Sequence, residues 1–239
     1  MLKNRQILVT GSSSGIGLSI CTELLKKGAK VLGISRHESK SLKRYKNYVG
    51  YSLDLSDTIN IVKKFKKILC DHPNIDGLVS NAGYGAFGKL EQFSSEQVIN
   101  FVNVNLIAHM LISSELIRHF KTNKRGDIIF MGSEAALSGS KSGSLYCATK
   151  FGLRGFSQAL KAEGANKNVR ICLINPGAVR TPFFDELSFQ PADSSENAIE
   201  PRTVADIIIQ VLSTKENTVI DEINLSPIKK SLTFQKNKN

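Results

Sequence analysis

Thr10-Gly11-Ser12-Ser13-Ser14-Gly15-Ile16-Gly17 follows directly on the apolar run Gln6 to Thr10 and opens a helical pattern that reaches Lys27. Each glycine meets a different steric need. Gly11 permits a tight turn off the strand, Gly15 lets backbone approach a pyrophosphate, and Gly17 lets the helix pack close to a sheet. The start of a helix offers unbonded N–H groups and a dipole that favours anions. A strand, a glycine-rich turn and a helix in this order therefore predict a phosphate cradle. The spacing differs from the common GxGxxG dinucleotide fingerprint.

Working outward, the chain alternates short apolar runs with helical stripes. Ala29 to Ser35, Val49 to Leu53 and Ile75 to Ser80 read as strands. Between the last two, Asp57 to Asp71 places Ile61, Val62, Phe65, Ile68 and Leu69 on one helical stripe. Ser94 to Lys121 reads as two consecutive helices. Gly126 to Met131 is a strand, Ser144 to Gly164 a helix, and Val169 to Ile174 a strand stopped by Asn175-Pro176-Gly177. Ala178 to Glu200 has weak periodicity and reads as an irregular loop. Pro201 opens a helix carrying Val204, Ile207, Ile208 and Val211, and Thr218 to Leu225 is the last strand. Such alternation implies parallel pairing through right-handed crossovers, with the continuous apolar strands covered on both faces. The expected architecture is an α/β doubly wound sheet of about seven mostly parallel strands with helices on both faces. One domain over residues 1–227 is expected, with a basic, frayed tail over 228–239.

Composition bounds the partners. Hydrophobic residues make up 41% of the 239 residues and charged residues 22%, as in ordinary soluble globular chains. No apolar run approaches the ~18 residues of a membrane span, and no secretory signal pattern appears, so a cytoplasmic protein is expected. Cys21, Cys70, Cys147 and Cys172 have neither CxxC nor metal-ligand spacing and read as buried free thiols, with no metal site. The net charge of +11 gathers at Lys40, Lys43, Arg44 and Lys46, at Lys63, Lys64, Lys66 and Lys67, and at Lys229, Lys230, Lys236 and Lys238. The second group interleaves with apolar residues at helical spacing and reads as a solvated face. Without a zinc finger, RNA-binding signature or aromatic platform, a specific nucleic-acid partner is not expected.

Further motifs extend the pattern: Asn81-Ala82-Gly83 after the fourth strand, Asn105, Ser133, Tyr146-x-x-x-Lys150 and Pro176-Gly177. Together with Thr10-Gly-x-x-x-Gly-x-Gly17, these motifs and their order resemble the short-chain dehydrogenase/reductase family over most of the chain. The resemblance implies a Rossmann-type fold and an oxidoreductase that moves a hydride between a nicotinamide dinucleotide and a small or apolar carbonyl or alcohol. It implies that Gly11, Ser13, Ser14, Gly15, Ile16, Gly17, Asp54, Asn81, Gly83, Pro176, Gly177 and Thr181 hold the dinucleotide, together with Tyr146 and Lys150. It also implies Asn105, Ser133, Tyr146 and Lys150 as the catalytic set. Asn103 competes for the role of Asn105, which is favoured by the following Leu106 and the spacing to Ser133. Ser80 stands where the family more often has asparagine.

The end of the second strand separates the two nicotinamide cofactors. The position usually acidic in NAD-dependent relatives falls on Ser35, and Arg36 follows. No carboxylate is available to repel a 2′-phosphate, and a guanidinium can bind one bidentately, so NADP(H) is favoured over NAD(H). The Ser12 to Ser14 stretch lacks the basic residue that many NADP-preferring relatives carry.

Tyr146 and Lys150 are one helical turn apart and share a face. A free phenol has a pKa near ~10. An ammonium about 4 Å from a phenolate is worth roughly 4 kcal/mol at an effective dielectric near 20, about three pKa units before desolvation. Spacing alone therefore predicts a tyrosine tuned toward neutral pH. Ser133 is placed to polarise the substrate oxygen.

For the substrate, Tyr84 and Phe87 form one expected wall, and Phe183, Phe184, Leu187 and Phe189 form an apolar lid. Glu134 and Arg180 are candidates to bind a polar substrate group. Gly152 and Gly155 cost helix stability and suggest close contacts, and the family commonly pairs this helix in a homodimer or homotetramer. Two other functions remain open: a non-catalytic NADP(H)-binding sensor on the same fold, and a nucleotide-sugar epimerase or dehydratase, which is usually longer.

Overall fold

Strand and helix alternate along the whole of the computed structural model, which describes residues 2–234 apart from the Asn166 side chain. The strands and helices in chain order are β1 (Gln6–Thr10), α1 (Gly15–Lys26), β2 (Lys30–Ser35), β3 (Tyr48–Ser52), α2 (Thr58–Asp71) and β4 (Gly77–Ser80). Then come α3 (Ser95–Val102), a π-helical turn (Asn103–Ile107), α4 (Ala108–Asn123), β5 (Gly126–Met131), α5 (Ser144–Gly164) and β6 (Val169–Pro176). The last elements are β7 (Phe189–Pro191), α6 (Pro201–Ser213), β8 (Glu222–Leu225) and β9 (Leu232–Phe234).

Seven strands form one sheet in the order β3-β2-β1-β4-β5-β6-β8, and every pairing is parallel. The chain winds outward from β1 through β2 to β3, then returns to β4 on the other side of β1. The carboxyl ends of β1 and β4 thus flank a topological switch point, where ligands bind in open α/β sheets. The Asn81 and Ala82 N–H groups donate to the Thr10 hydroxyl at 3.0 Å each, and Asn81 Nδ2 donates to the Thr10 carbonyl. These bonds clasp the two loops of the switch point together.

Side chains alternate between two cores. On one face Leu8, Leu78, Ile128 and Phe130 pack with Phe65, Phe120 and Leu153 of the helices. On the other, Ile7, Val9, Val79 and Ile129 pack with Ile20, Leu24, Val204 and Ile208. Burial on both faces explains the unbroken apolar runs, and each such side chain contributes about 1.5–3 kcal/mol. At the amino ends of the strands, Arg5 bonds Asp76 at 2.5 Å and Asp127 at 2.7 Å, while Arg170 bonds Asp127 at 2.6 Å.

Local chemistry sets the helix boundaries. Asp57 accepts from the Asn60 N–H at the start of α2, and Ser94 with Gln97 forms a capping box on α3. The two expected helices of 94–121 are α3 and α4, joined through the π turn. The lysines at 63, 64, 66 and 67 are exposed along α2, as their spacing predicts. Cys21, Cys147 and Cys172 are buried free thiols, but Cys70 is exposed. No helix among the described residues is long and apolar enough to cross a membrane.

Three further expectations are corrected. The final sheet strand begins at Glu222 rather than Thr218, because a turn in which the Thr218 N–H donates to the Lys215 carbonyl precedes it. The loop over 178–200 contains β7. The tail does not simply fray: β9 pairs antiparallel with β7, while residues 235–239 of the expected frayed segment lie outside the described residues.

Candidate active site

The glycine loop has the predicted geometry. Gly11 and Gly15 have φ of 69° and 51°, a left-handed conformation that favours glycine. A side chain on Gly17 would run into the Gly11 carbonyl. Ser14 is the N-cap of α1 but its side chain makes no capping bond, and the first helical bond runs from the Leu18 N–H to the Ser14 carbonyl. The N–H groups of Gly15, Ile16 and Gly17 consequently have no acceptor within the helix. Across the loop, a Cβ on Gly15 would lie 3.2 Å from the Thr181 Cβ. The cradle and Thr181 therefore face one another across the switch point.

Ser35 ends β2, and its hydroxyl donates to the His37 carbonyl at 2.8 Å. The exposed Arg36 is anchored through its carbonyl, which accepts from the Ser52 hydroxyl. The Asp54 carboxyl lies below its usual range, chiefly through the Ser56 backbone N–H, with the Arg36 charge contributing. Burial raises the Tyr84 phenol, and Arg36 opposes that rise. Arg36 thus projects its field over the Asp54 and Tyr84 side of the crevice.

Helix α5 carries Tyr146 and Lys150 inward, only 9% and 4% exposed. Lys150 Nζ donates to the Met131 carbonyl at 2.9 Å and lies 5.6 Å from the centre of the Tyr146 ring. Ser133 follows β5; its N–H donates to Asn175 Oδ1, and its hydroxyl accepts from the Ala135 N–H. Asn105 is fully buried in the π turn, donating to the Phe101 carbonyl and accepting from the Tyr84 N–H. A Cβ on Gly83 would lie 2.7 Å from Asn105 Oδ1 and 3.9 Å from Lys150 Nζ, so this glycine lets its loop close onto both groups. Asn103 turns instead toward the Ser56 carbonyl at 3.5 Å. The structure brings Asn105, Ser133, Tyr146 and Lys150 together and leaves Asn103 outside.

The proton chemistry differs from the expectation based on spacing. Burial pushes the Tyr146 phenol up to about 12; hydrogen bonding with Ser133 opposes the shift, while Cys147 and Glu134 add to it. Burial pushes the Lys150 ammonium down to about 8. Two facts account for this. Lys150 gives its bond to a strand carbonyl, and both groups are stripped of water, so desolvation outweighs the attraction that a four-residue spacing suggests.

Two supporting residues escaped the sequence reading. His109, one turn beyond Asn105, donates from Nε2 to the Ala82 carbonyl at 2.9 Å and accepts at Nδ1 from the Ser80 hydroxyl at 2.7 Å. A carbonyl can only accept, which fixes this tautomer. The departure at Ser80 was the available signal: its shorter hydroxyl meets the imidazole. Asn175, read only as a strand stop, accepts from Ser133 and donates to Glu222 and Asn224 at 2.8 and 2.9 Å.

The expected substrate wall is aromatic. Ring centres of Phe87, Phe183 and Phe101 lie 5.2, 5.9 and 6.4 Å from that of Tyr146. Tyr84 packs edge-on against Phe101, and Phe184 against Phe183. The two charged candidates are engaged elsewhere. Glu134 pairs with Lys230 at 2.6 Å, while Arg180 donates to the Ala192 and Ser194 carbonyls and faces Glu200. Gly152 has the expected close contact, with Leu106, but Gly155 meets open space.

Residues 5–191 match the family model for short chain dehydrogenases. The chain is 33% identical over 191 residues to a 3-oxoacyl-(acyl-carrier-protein) reductase of Buchnera aphidicola subsp. Schizaphis graminum, covering 78% of each protein. It is 31% identical to the benzil reductase ((S)-benzoin forming) of Bacillus cereus, over 89% of this chain and 95% of that one. Among solved structures, a metagenomic short-chain oxidoreductase in complex with NADP superposes with a TM-score of 0.81 at 28% identity, covering 95% of this chain and 98% of that one. The chain belongs to the short-chain dehydrogenase family. It is an oxidoreductase by that membership.

His109 makes a testable contribution to acid stability. Burial, with the Lys150 charge adding to it, pushes its imidazole down to about 3. The unfolded chain takes up this proton below about pH 6.5, whereas the folded chain does so only near pH 3. Stability should therefore fall by ~1.4 kcal/mol per pH unit as pH drops between those values. His109→Leu should lose about 1–3 kcal/mol at pH 7, because the Ser80 hydroxyl and Ala82 carbonyl lose their partner. It should also decline less steeply than wild type from pH 6 to pH 4 in urea denaturation. Parallel slopes would contradict the assignment.

Proposed function

We propose that this chain is an NADPH-dependent carbonyl reductase in which Tyr146 delivers the proton. The observation that carries the reading is the buried Ser133–Tyr146–Lys150–Asn105 cluster beside the glycine cradle at one switch point. The cradle fits a dinucleotide. Positive φ at Gly11 and Gly15 and the unbonded N–H groups of the first turn of α1 suit a pyrophosphate, and Thr181 lines the far side. Arg36, with Ser35 in place of a carboxylate, suits a 2′-phosphate. Asp54, Asn81, Gly83, Pro176 and Gly177 complete the edge. The cofactor of the metagenomic relative supports the same choice, as does the 29% identical NADP-dependent 3-hydroxy acid dehydrogenase of Schizosaccharomyces pombe.

A bound nicotinamide supplies hydride chemistry; the chain's own residues manage the oxygen. Ser133 orients and polarises the carbonyl oxygen. A phenol with a pKa of about 12 stays protonated at neutral pH and serves as the acid that caps the developing alkoxide in carbonyl reduction. Lys150, with a pKa of about 8, is mostly cationic at pH 7. Lys150 and Asn105 meet at Gly83 and provide the route by which Tyr146 is reprotonated. The phenylalanines exclude water and favour an apolar substrate. Phe151 lies exposed on the outer face of α5, as does Gly155, which meets open space; both suit packing against a second copy of the chain.

The test is NADPH oxidation against ketones, aldehydes and quinones, with NADH as control. Tyr146→Phe should bind NADPH within about twofold of wild type and lose ~10²–10⁴-fold in kcat. Near-normal turnover in that variant contradicts the role of Tyr146, and NADPH binding without any turnover favours the sensor. Arg36→Ser should lower kcat/KM about 10- to 100-fold with NADPH, the worth of a charge-assisted bidentate contact, and barely change it with NADH. A wild-type preference for NADH would contradict the role of Arg36.

A further inference from the structure

The residues after β8 fold back across the carboxyl edge of the sheet. Pro227 packs on the Pro176-Gly177 turn: a Cβ on Gly177 would lie 3.0 Å from its Cδ and 3.2 Å from Glu134 Oε2. Lys229 and Lys230 then pair with Glu196 and Glu134, each at 2.6 Å, and the Lys229 N–H donates to the Glu196 carbonyl. The Ala192 N–H donates to the Ser231 carbonyl, and β9 aligns Phe234, Thr233 and Leu232 with Phe189, Gln190 and Pro191. The lid segment is therefore held at several points by one C-terminal strap.

Phe189 is the lid residue that carries this restraint inward. Its ring centre is 5.0 Å from Phe87 and 6.1 Å from Phe184. Phe87 touches Tyr146 directly, and Phe184 touches it through Phe183. Two chains of ring contacts thus converge from Phe189 on the proton donor. Exposed ion pairs and a three-residue ribbon are each weak alone, so the hold comes from their combination.

We propose that Phe189, held by the strap of residues 226–234, is a specificity-determining residue that sets how large a carbonyl compound reaches Tyr146. Lys230 is then a positioning residue: it fixes the strap beside Ser133 through Glu134. With Glu134 and Arg180 both engaged, the pocket favours compact, uncharged, apolar carbonyl compounds. Loosening the wall admits bulkier ones. This inference rests on the carbonyl-reductase reading of Tyr146.

The experiment has two arms on the full-length protein, with NADPH affinity as a control expected to stay within about twofold. Hydrogen–deuterium exchange without cofactor should quicken over residues 183–192 about three- to fivefold in Lys230→Glu and stay at the wild-type rate in Lys230→Arg. With NADPH, the ratio of kcat/KM for benzil over cyclohexanone should rise at least about fivefold in Phe189→Ala. Unchanged exchange in Lys230→Glu, or an unchanged substrate ratio in Phe189→Ala, overturns the proposal. A wild-type protein that binds NADPH but reduces neither ketone contradicts the carbonyl reading, and the specificity claim falls with it. The exchange arm would then still measure the grip of the strap by itself.

Discussion

The Lys150 ammonium, buried and donating to the Met131 carbonyl, ties the second turn of α5 to the carboxyl end of β5. A cation removed from water requires strong compensation, and a strand carbonyl offers it without movement. This bond fixes the rotation of α5, and that rotation directs the Tyr146 phenol toward Ser133. Met131 and Ser133 flank Gly132, whose N–H donates to the Ile174 carbonyl of β6, so the joint rests on the middle of the sheet. The position of the Tyr146 phenol is thus set by the parallel strand register.

Around that joint, polar contacts hold the loops and apolar contacts hold the water out. Asn105 and His109, one turn apart along the π turn and α4, grip the Tyr84 N–H and the Ala82 carbonyl. Asn175 secures the Ser133 backbone and continues through Glu222 to Arg154 on α5. Phenylalanines enclose the other side. The same exclusion of water that raises the Tyr146 phenol lowers the Lys150 ammonium. One physical cause therefore produces both shifts, and it keeps the phenol in its acid form. Part of the net charge of +11 lies elsewhere, as the exposed lysines of α2 illustrate.

Much of this was legible in the sequence, for identifiable reasons. The glycine loop, the sheet strands and the Tyr146–Lys150 face rest on local spacing, which a chain displays directly. The preference for Asn105 over Asn103 also agrees with the buried position of Asn105. What could not be read depends on distant partners. Phe189 and Phe234 are 45 positions apart in the chain and meet only because β7 and β9 pair, so the tail read as frayed. Glu134 read as a candidate for a polar substrate group and Lys230 as part of a basic tail, because their contact spans 96 positions. The Tyr146 pKa was misjudged because spacing reveals proximity along a helix but not the loss of water. His109 was overlooked because a lone histidine in an apolar helix carries no local sign of its two partners.

The claim that burial governs the proton on Tyr146 is open to direct measurement. Carbon-13 NMR of protein labelled at tyrosine Cζ, with Tyr146→Phe assigning the resonance, follows that one phenol through a pH titration. A Tyr146 signal that remains in its phenol form up to about pH 10 and begins to shift only above it agrees with a pKa of about 12. A half-formed phenolate at or below about pH 8 in the cofactor-free protein would mean that charge, not desolvation, controls the site, and would contradict the account.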